Sequence, residues 1–260
     1  TASPFIDVTA GVPIKVSIAP SSSSSVADSI AVFNYNLMSG STYVLIAEGI
    51  VSATGYSPAT PFDIKVYGMG REVASNTANT DVLVHHGATD APAVDVVETG
   101  AGAGTIVANA SYGDFAPYLE LATADYVVQV RAAGANSAVA AFDAPLATLG
   151  LQGAALTVVA SGFLDPSANS NGPAFGLFAA PATGGAMVAL PASKSRLQAI
   201  HNSADAAAAT VDVYLNGNLL LDDFDFRTAS PFIDAPAEVD IQLVIAPPTS
   251  TSIADSIAVF

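Results

Sequence analysis

The chain has 260 residues and a net charge of −16, with seven Lys and Arg against 23 Asp and Glu. That balance excludes a nucleic-acid backbone as the natural partner, because phosphate binding needs clustered cations. It suits a surface kept soluble by self-repulsion, or one bathed in salt or divalent cations. Hydrophobic residues make up 51% of the chain, ample for a core, yet no apolar stretch reaches the roughly 18–20 residues needed to span a membrane. Cysteine is absent, which decides little, since a domain with enough core needs no disulfide. No cleavable leader pattern begins at residue 1, so any export signal is expected upstream or removed.

Short strand signals recur along the chain, each β-branched or aromatic and bounded by Gly, Pro, Asn or Ser. Ile14–Ile18 comes first. Val82–His85 and the alternating Val94-Asp95-Val96-Val97 follow, then a turn at Gly100–Gly104 and the short run Ile106-Val107. Tyr126–Arg131 alternates clearly, and Ser137–Phe142 comes next. Leu156–Ala160 is continuously apolar, as a central buried strand would be. Phe175–Phe178 and Ala186–Leu190 come after it. Ala206–Ala209 is too short to nucleate a helix and reads as loop. Val211–Leu215, Asn216-Gly217 and Asn218–Leu221 spell a hairpin, because Asn-Gly suits a type I′ turn. Ile241–Ile245 closes the series. The fold class expected is all-β, built of tandem antiparallel β-sandwich modules.

Two periods underlie this pattern. Residues 1–33 and 228–260 share 22 of 33 positions without a gap, an offset of 227 residues. A weaker match recurs at 113 residues. It sets Ser3-Pro4-Phe5-Ile6-Asp7 against Ala116-Pro117-Tyr118-Leu119-Glu120, and Tyr43–Gly49 against Leu156–Gly162. The long period thus holds two related modules of roughly 110 residues, and missing such a repeat would misread the fold. The division expected is 1–80, the later part of one module; 81–192, a complete module; and 193–260, the first part of a third, a near-copy of the first type. Ala74–Thr80 and the stretch from Pro181 to Ser193 read as short linkers, which hold neighbours in a nearly fixed relation.

The run Val84-His85-His86-Gly87-Ala88-Thr89-Asp90-Ala91-Pro92-Ala93-Val94-Asp95-Val96 resembles the signature V-H-A-S-P-D-A-P-x-V-D-V of a widespread bacterial domain of unknown function, number forty-three ninety-seven in its series. The chain departs from it at Gly87 and Thr89. A looser copy runs from His201 through Asp205 to Asp212 and Tyr214. Tyr118, Tyr126, Val128 and Arg131 fit the family's P-Y-L … Y-x-V-x-V-R order. The resemblance implies an immunoglobulin-like or related β-sandwich in exported, often tandem, cell-surface proteins of bacterial type. It implies no enzymatic activity.

The module motif therefore comprises His86, Asp90, Pro92, Asp95, His201, Asp205 and Asp212. His86/Asp90 and His201/Asp205 recur four apart, a spacing open to a metal or acid–base pair. The plainer reading has them bracing a strand-to-loop corner through the backbone. Zinc wants three or four converging ligands, and with three histidines and no thiol the chain is poorly supplied. Asp95 and Asp212 sit in Val-Asp-Val strands on the face opposite their neighbours, facing solvent or capping a loop. Asp222, Asp223 and Asp225 after the hairpin, and Asp165 in an oxygen-rich loop, are candidates for calcium, which takes carboxylate and carbonyl oxygens. They equally suit ordinary turns. No other cofactor is expected. Ser21–Ser25 and Ser250-Thr251-Ser252 read as flexible hairpin tips, open to O-glycosylation if the chain is exported. No nucleophile elbow, phosphate loop, dinucleotide fingerprint or H-E-x-x-H occurs, so the chain is not read as an enzyme.

Two functions fit. One is a structural repeat of an extracellular filament or cell-surface stalk, with modules stacked head to tail and each split module completed by the adjoining repeat. The repeated segments Thr1–Phe33 and Thr228–Phe260 are its assembly segments, and the partners are copies of itself or adjoining repeats of one long chain. The surplus copy of 1–33 favours a continuous polypeptide, and strand exchange between separate subunits is the alternative. The other function is an adhesin or carbohydrate-binding module, with Tyr35, Tyr56, Tyr67, Tyr112, Tyr118 and Tyr126 as stacking surfaces. The lack of Trp weighs against it.

Overall fold

The computed structural model describes residues 1–52 and 54–260. Its strands follow the β-branched and aromatic runs, and which of them pair depends on what lies beside them. In the first segment, β1 (Pro13–Ile18) pairs antiparallel with β2 (Ala31–Asn36), from Pro13↔Asn36 to Ile18↔Ala31. β3 (Val44–Glu48) pairs with β4 (Asp63–Tyr67), from Val44↔Tyr67 to Glu48↔Asp63. These are two separate two-stranded sheets.

Residues 79–189 carry nine strands: β5 (Asn79–His86), β6 (Val94–Glu98), β7 (Gly104–Ala110), β8 (Phe115–Ala122), β9 (Asp125–Ala132), β10 (Ala138–Pro145), β11 (Ala155–Ser161), β12 (Gly176–Pro181) and β13 (Val188–Ala189). They form a four-stranded sheet, β10-β9-β6-β7, and a five-stranded sheet, β13-β12-β11-β5-β8. Pairing is antiparallel except between β11 and β5, which run parallel with Leu156↔Val82 and Val158↔Val84. Val96, Val128, Val130 and Phe142 from the first sheet meet Val82, Leu156, Val158 and Leu177 from the second in one buried core. The chain is all-β, and this part of it is a two-layer sandwich. Among the described residues no helix is long and apolar enough to cross a membrane.

The third segment repeats half of that plan. β15 (Thr210–Leu215), β16 (Asn218–Asp225), β18 (Leu243–Ala246) and β19 (Ala258–Val259) form the order β16-β15-β18-β19, while β14 (Lys194–Leu197) pairs with β17 (Ile233–Pro236). Those orders match β7-β6-β9-β10 and β5-β8. The first segment supplies the remainder. Gly49 and Gly162, 113 residues apart, both have φ near +85° and sit against a carbonyl oxygen, of Pro61 and Ala174 respectively. A parallel bridge follows each, Ile50↔Pro61 and Phe163↔Ala174. Thus β3–β4 is built like β11–β12.

The Asn216-Gly217 turn has both residues at positive φ, +49° and +80°, as a type I′ hairpin requires. Three details differ from expectation. Ala206–Ala208 is a single 3₁₀ turn rather than loop, because the Asp205 carboxylate accepts the Ala207 N–H at 2.9 Å. The serine tips are ordered: Ser25 and Ser252 each cap a 3₁₀ turn, at Val26–Asp28 and Ile253–Asp255. The first expected linker is partly structural, since β5 already starts at Asn79 and Ala74 and Thr80 are buried.

Candidate functional site

The two histidine corners are built alike. His86 is buried, and its Nε2 lies 3.0 Å from the Pro92 carbonyl oxygen. His201 Nε2 lies 2.7 Å from the Ala208 carbonyl, and its Nδ1 accepts the Ser203 N–H at 3.3 Å, which makes Nε2 the protonated nitrogen. Each ring ties a strand end to the loop that follows. The structure does not bring the paired carboxylates onto these rings. Asp90 instead accepts the backbone N–H groups of Leu164 and Asp165, at 3.0 and 2.9 Å, and the Asn169 amide at 3.2 Å, joining the corner to the loop after β11. Asp205 caps its own turn and is otherwise exposed.

Asp95 and Asp212 clamp β-bulges rather than facing solvent freely. Asp95 accepts the N–H of Asn109, a positive-φ residue in β7, at 2.7 Å, and that of Gly134 at 2.9 Å. Those two N–H groups, Gly134 first, and nearby Arg131 hold its carboxyl below the usual range. Asp212 is fully buried. It accepts the N–H of Asp223, the matching positive-φ residue in β16, at 3.0 Å, and the Ser250 hydroxyl. A bulge leaves one strand N–H without a ladder partner, and the aspartate supplies the acceptor.

The calcium candidates separate. Asp222 and Asp223 each place a carboxylate oxygen near one of Asp212, the three within 4.8 Å of one another. Asp225 accepts the Thr210 hydroxyl instead. Asp165 closes a local turn with the Ser167 hydroxyl and backbone, which lower its carboxyl pKa. Both Asp212 oxygens are already engaged by protein donors, so the cluster makes a poor cation cage.

One buried polar cluster has no counterpart in the expected site. Asp81, Leu83 and His85 alternate along β5 on the face turned away from the sandwich core, yet all three are 0% exposed. The first segment covers them. His85 Nε2 meets Glu48 Oε2 at 2.6 Å, with side chains 0% and 3% exposed. Arg71 reaches Asp81 at 2.5 Å and Glu120 at 2.8 Å, and its guanidinium lies 4.8 Å over the Tyr118 ring. Tyr67 packs on Phe115 and Tyr118, and His85 stacks on Phe115 at 4.3 Å. Burial, and then the Glu48 carboxylate, push the Tyr112 phenol up. Arg71 and Asp81 are ten positions apart, but Glu48–His85 and Arg71–Glu120 are 37 and 49 apart, so no local motif marks the cluster. The one available signal was the unalternating triplet Val82-Leu83-Val84 at the centre of β5, which suits a strand covered on both faces.

Sheet edges divide along the same lines. In the sandwich β11 and β5 pair, and β11 is buried along nearly its whole length. Among the described residues their counterparts β3 and β14 each have one partner only, β4 and β17, and leave the matching edges open. Leu45 and Ala47, counterparts of buried Val158 and Ala160, are exposed. Of 23 exposed large apolar side chains among the described residues, 12 lie in residues 1–80 and seven in 193–260, against four in 81–192, so most of the bare apolar surface belongs to the segments with open edges. Within the assembly segments, Phe33 packs 6.3 Å from Phe62, while Phe260 is 75% exposed. Thr1 precedes a bridge from Ala2 to Gly185, whereas Thr228 precedes the bridge from Ala229 to Ile200.

A family model described as a domain of unknown function (DUF4397) matches residues 80–209. The chain belongs to this family. The match spans the whole sandwich, both histidine corners and the 3₁₀ turn that Asp205 caps, and so runs past residue 192 into the third segment. Neither a curated protein nor a solved structure matches the chain.

Around this DUF4397 sandwich the tyrosines are engaged in packing. Tyr56 lies against Phe163 at 5.8 Å, Tyr67 and Tyr118 fill the joint with the first segment, and Tyr126 donates to the Ala122 carbonyl. All six are half-buried. A cleft of about 330 Å³ opens between the sandwich and the third segment. Part of its polar lining is occupied internally: Gln129 donates to the Glu238 carbonyl and carboxylate, and Arg131 donates to Gln129.

Proposed function

We propose that the chain is a structural repeat of an extracellular filament or cell-surface stalk, its modules stacked head to tail and each split module completed by the adjoining repeat. The observation that carries this reading is the pair of open edges on β3 and β14, whose counterparts β11 and β5 pair in parallel in the sandwich. An unpaired edge beside exposed apolar side chains favours association, and a contact between two different surfaces that does not close generates a filament. The joint between the first segment and the sandwich is buried and multiply bonded, which suits an element that transmits force rather than one that swings. Export is the expectation that goes with the family resemblance. With a net charge of −16, two copies repel at low ionic strength, so assembly strengthens as salt shortens the screening length to about 10 Å at 0.1 M.

Negative-stain electron microscopy and light scattering of the purified chain, at rising concentration and in 0.15 M salt, test this. Linear particles with a regular axial repeat are expected. A monodisperse particle of one chain mass at every concentration overturns the reading.

A further inference from the structure

We propose that β3 of a second copy of this chain adds to the open edge of β14, in parallel, with Leu45 opposite Ala199, and that Asp205 locks the joint by accepting the backbone N–H groups of Val51 and Ser52. This rests on the head-to-tail reading above and gives it a register and a partner.

The chain contains its own template for that joint. In the sandwich, β11 runs parallel to β5 with Leu156↔Val82, Val158↔Val84 and Ala160↔His86. The 113-residue offset carries β11 onto β3. The hydrogen bonds at the strand ends repeat at that offset: Ile50 N–H to Thr60 O and Phe62 N–H to Ile50 O match Phe163 N–H to Pro173 O and Phe175 N–H to Phe163 O. The two histidine corners carry β5 onto β14, 115 residues on, with His201 standing for His86. Both offsets together place Tyr43 opposite Leu197, Leu45 opposite Ala199 and Ala47 opposite His201.

Burial agrees with that placement. Val158 and Ala160 are 8% and 6% exposed because β5 and the opposing sheet cover them, whereas Leu45 is 38% exposed with nothing in that place. The third segment has only Tyr214, Val244 and Ala246 as its buried cluster, against thirteen residues in the sandwich. Docking β3–β4 there would give the third segment the pair that β11–β12 gives the sandwich. The asymmetry between Asp90 and Asp205 has the same explanation. Asp90 accepts two N–H groups from the loop after β11, at Leu164 and Asp165. The residues in those places after β3 are Val51 and Ser52, and Asp205 bonds only to its own turn. Parallel strand addition supplies main-chain hydrogen bonds for affinity and alternate side chains for specificity.

The chain has no cysteine, so engineered pairs report without background. Neighbouring strands lie about 4.8 Å apart, within the roughly 4.4–6.8 Å Cα separation a disulfide accepts. Full-length Leu45→Cys and Ala199→Cys variants are mixed and mildly oxidised, with far-UV circular dichroism confirming that each folds. A disulfide-linked product of two chain masses is expected from the mixture and not from either variant alone, and a ladder is expected from the double variant. Replacing Ala199→Cys with Gln198→Cys moves the thiol to the other face and should cut the yield at least about tenfold. Asp205→Ala, added to the mixture, should lower the yield several-fold with an unchanged monomer spectrum. A faster-migrating, internally linked monomer from the double variant overturns the proposal, as does equal yield from the Gln198→Cys control. Linear particles without the Leu45–Ala199 link overturn this register and leave the filament reading standing. Neither particles nor link overturns both.

Discussion

Removing the Glu48–His85 contact should uncouple the first segment from the sandwich without unfolding the sandwich. The two side chains are 3% and 0% exposed and meet at 2.6 Å. Glu48→Ala leaves an imidazole nitrogen buried and unpaired. Breaking one side of a buried charged pair costs about 3–5 kcal/mol, and of a neutral buried hydrogen bond about 1–3 kcal/mol. His85→Ala carries a similar cost together with the loss of its stacking on Phe115. If the pair acts as a unit, the double variant loses less than the two single variants summed, by up to about 3 kcal/mol of coupling. Urea titration followed by circular dichroism measures this, and hydrogen exchange locates it. Amides of β3 and β4, such as Ala47 and Ile64, should lose protection in Glu48→Ala. Those of β5 and β11 should keep theirs, because their partners lie within the sandwich. Additivity within about 0.5 kcal/mol, or equal loss of protection in β5, refutes the reasoning.

Asp212→Ala removes a fully buried carboxylate and, with it, the acceptor for the Asp223 N–H and one partner of the Ser250 hydroxyl; a loss of about 1–3 kcal/mol is expected by thermal unfolding, with Asp212→Asn milder. Glu98 is buried, which raises its carboxyl, but the N–H groups of Ala103, Ala101, Gly100 and Val127 outweigh that and hold it below the ordinary 4.5. A depressed carboxyl contributes stability that is present above the unfolded value and lost as pH falls through the folded one. The melting temperature should therefore decline below about pH 4.5, and Glu98→Gln should lower it at pH 7 and flatten that decline. Gly162→Ala would put a Cβ 2.3 Å from the Ala174 carbonyl oxygen at φ +88°; strain of about 1–3 kcal/mol should appear as a lower melting temperature, whereas Gly134→Ala, with open space around it, should cost less.

Where a strand is defined by its own residues, the sequence was enough. The Asn216-Gly217 hairpin and the runs Tyr126–Arg131 and Leu156–Ala160 were legible from turn chemistry and period. Phe115–Ala122 was not, because Pro117 reads against a strand. It is tolerated because β8 is the edge of its sheet and the register slips between Val82 and Val84, opposite that proline. The repeated Thr-Ala-Ser-Pro-Phe-Ile-Asp shows the limit of local reading. Ile233–Pro236 is a strand because β14 lies beside it, while the same residues near Ile6 have no strand partner and pair with nothing but a bridge at Ala2. The corner histidines and bulge aspartates stood out by recurrence. The Glu48–His85 and Arg71–Glu120 contacts did not, because they join residues 37 and 49 positions apart and occur once.

That single occurrence bears on why the period holds two modules rather than one. The counterpart of His85 in the third segment is Ile200, and the counterpart of Glu48 in the sandwich is Ser161. A module of the first type therefore has a matched neighbour only in the sandwich type. Followed by its own type, it would press the Glu48 carboxylate onto an isoleucine and leave it buried without a partner, at a cost of several kcal/mol. The joint on the other side of the sandwich uses different groups, Gln129 to Glu238 and the Ser193 N–H to the Ala141 carbonyl. In the proposed array, two joints with unlike chemistry would forbid a slip by one module, in the way that an unpaired charge against the wrong partner gives specificity elsewhere. On the proposed head-to-tail reading, the open edges of β3 and β14 would supply the attraction between repeats, and the buried polar joint would fix which module follows which.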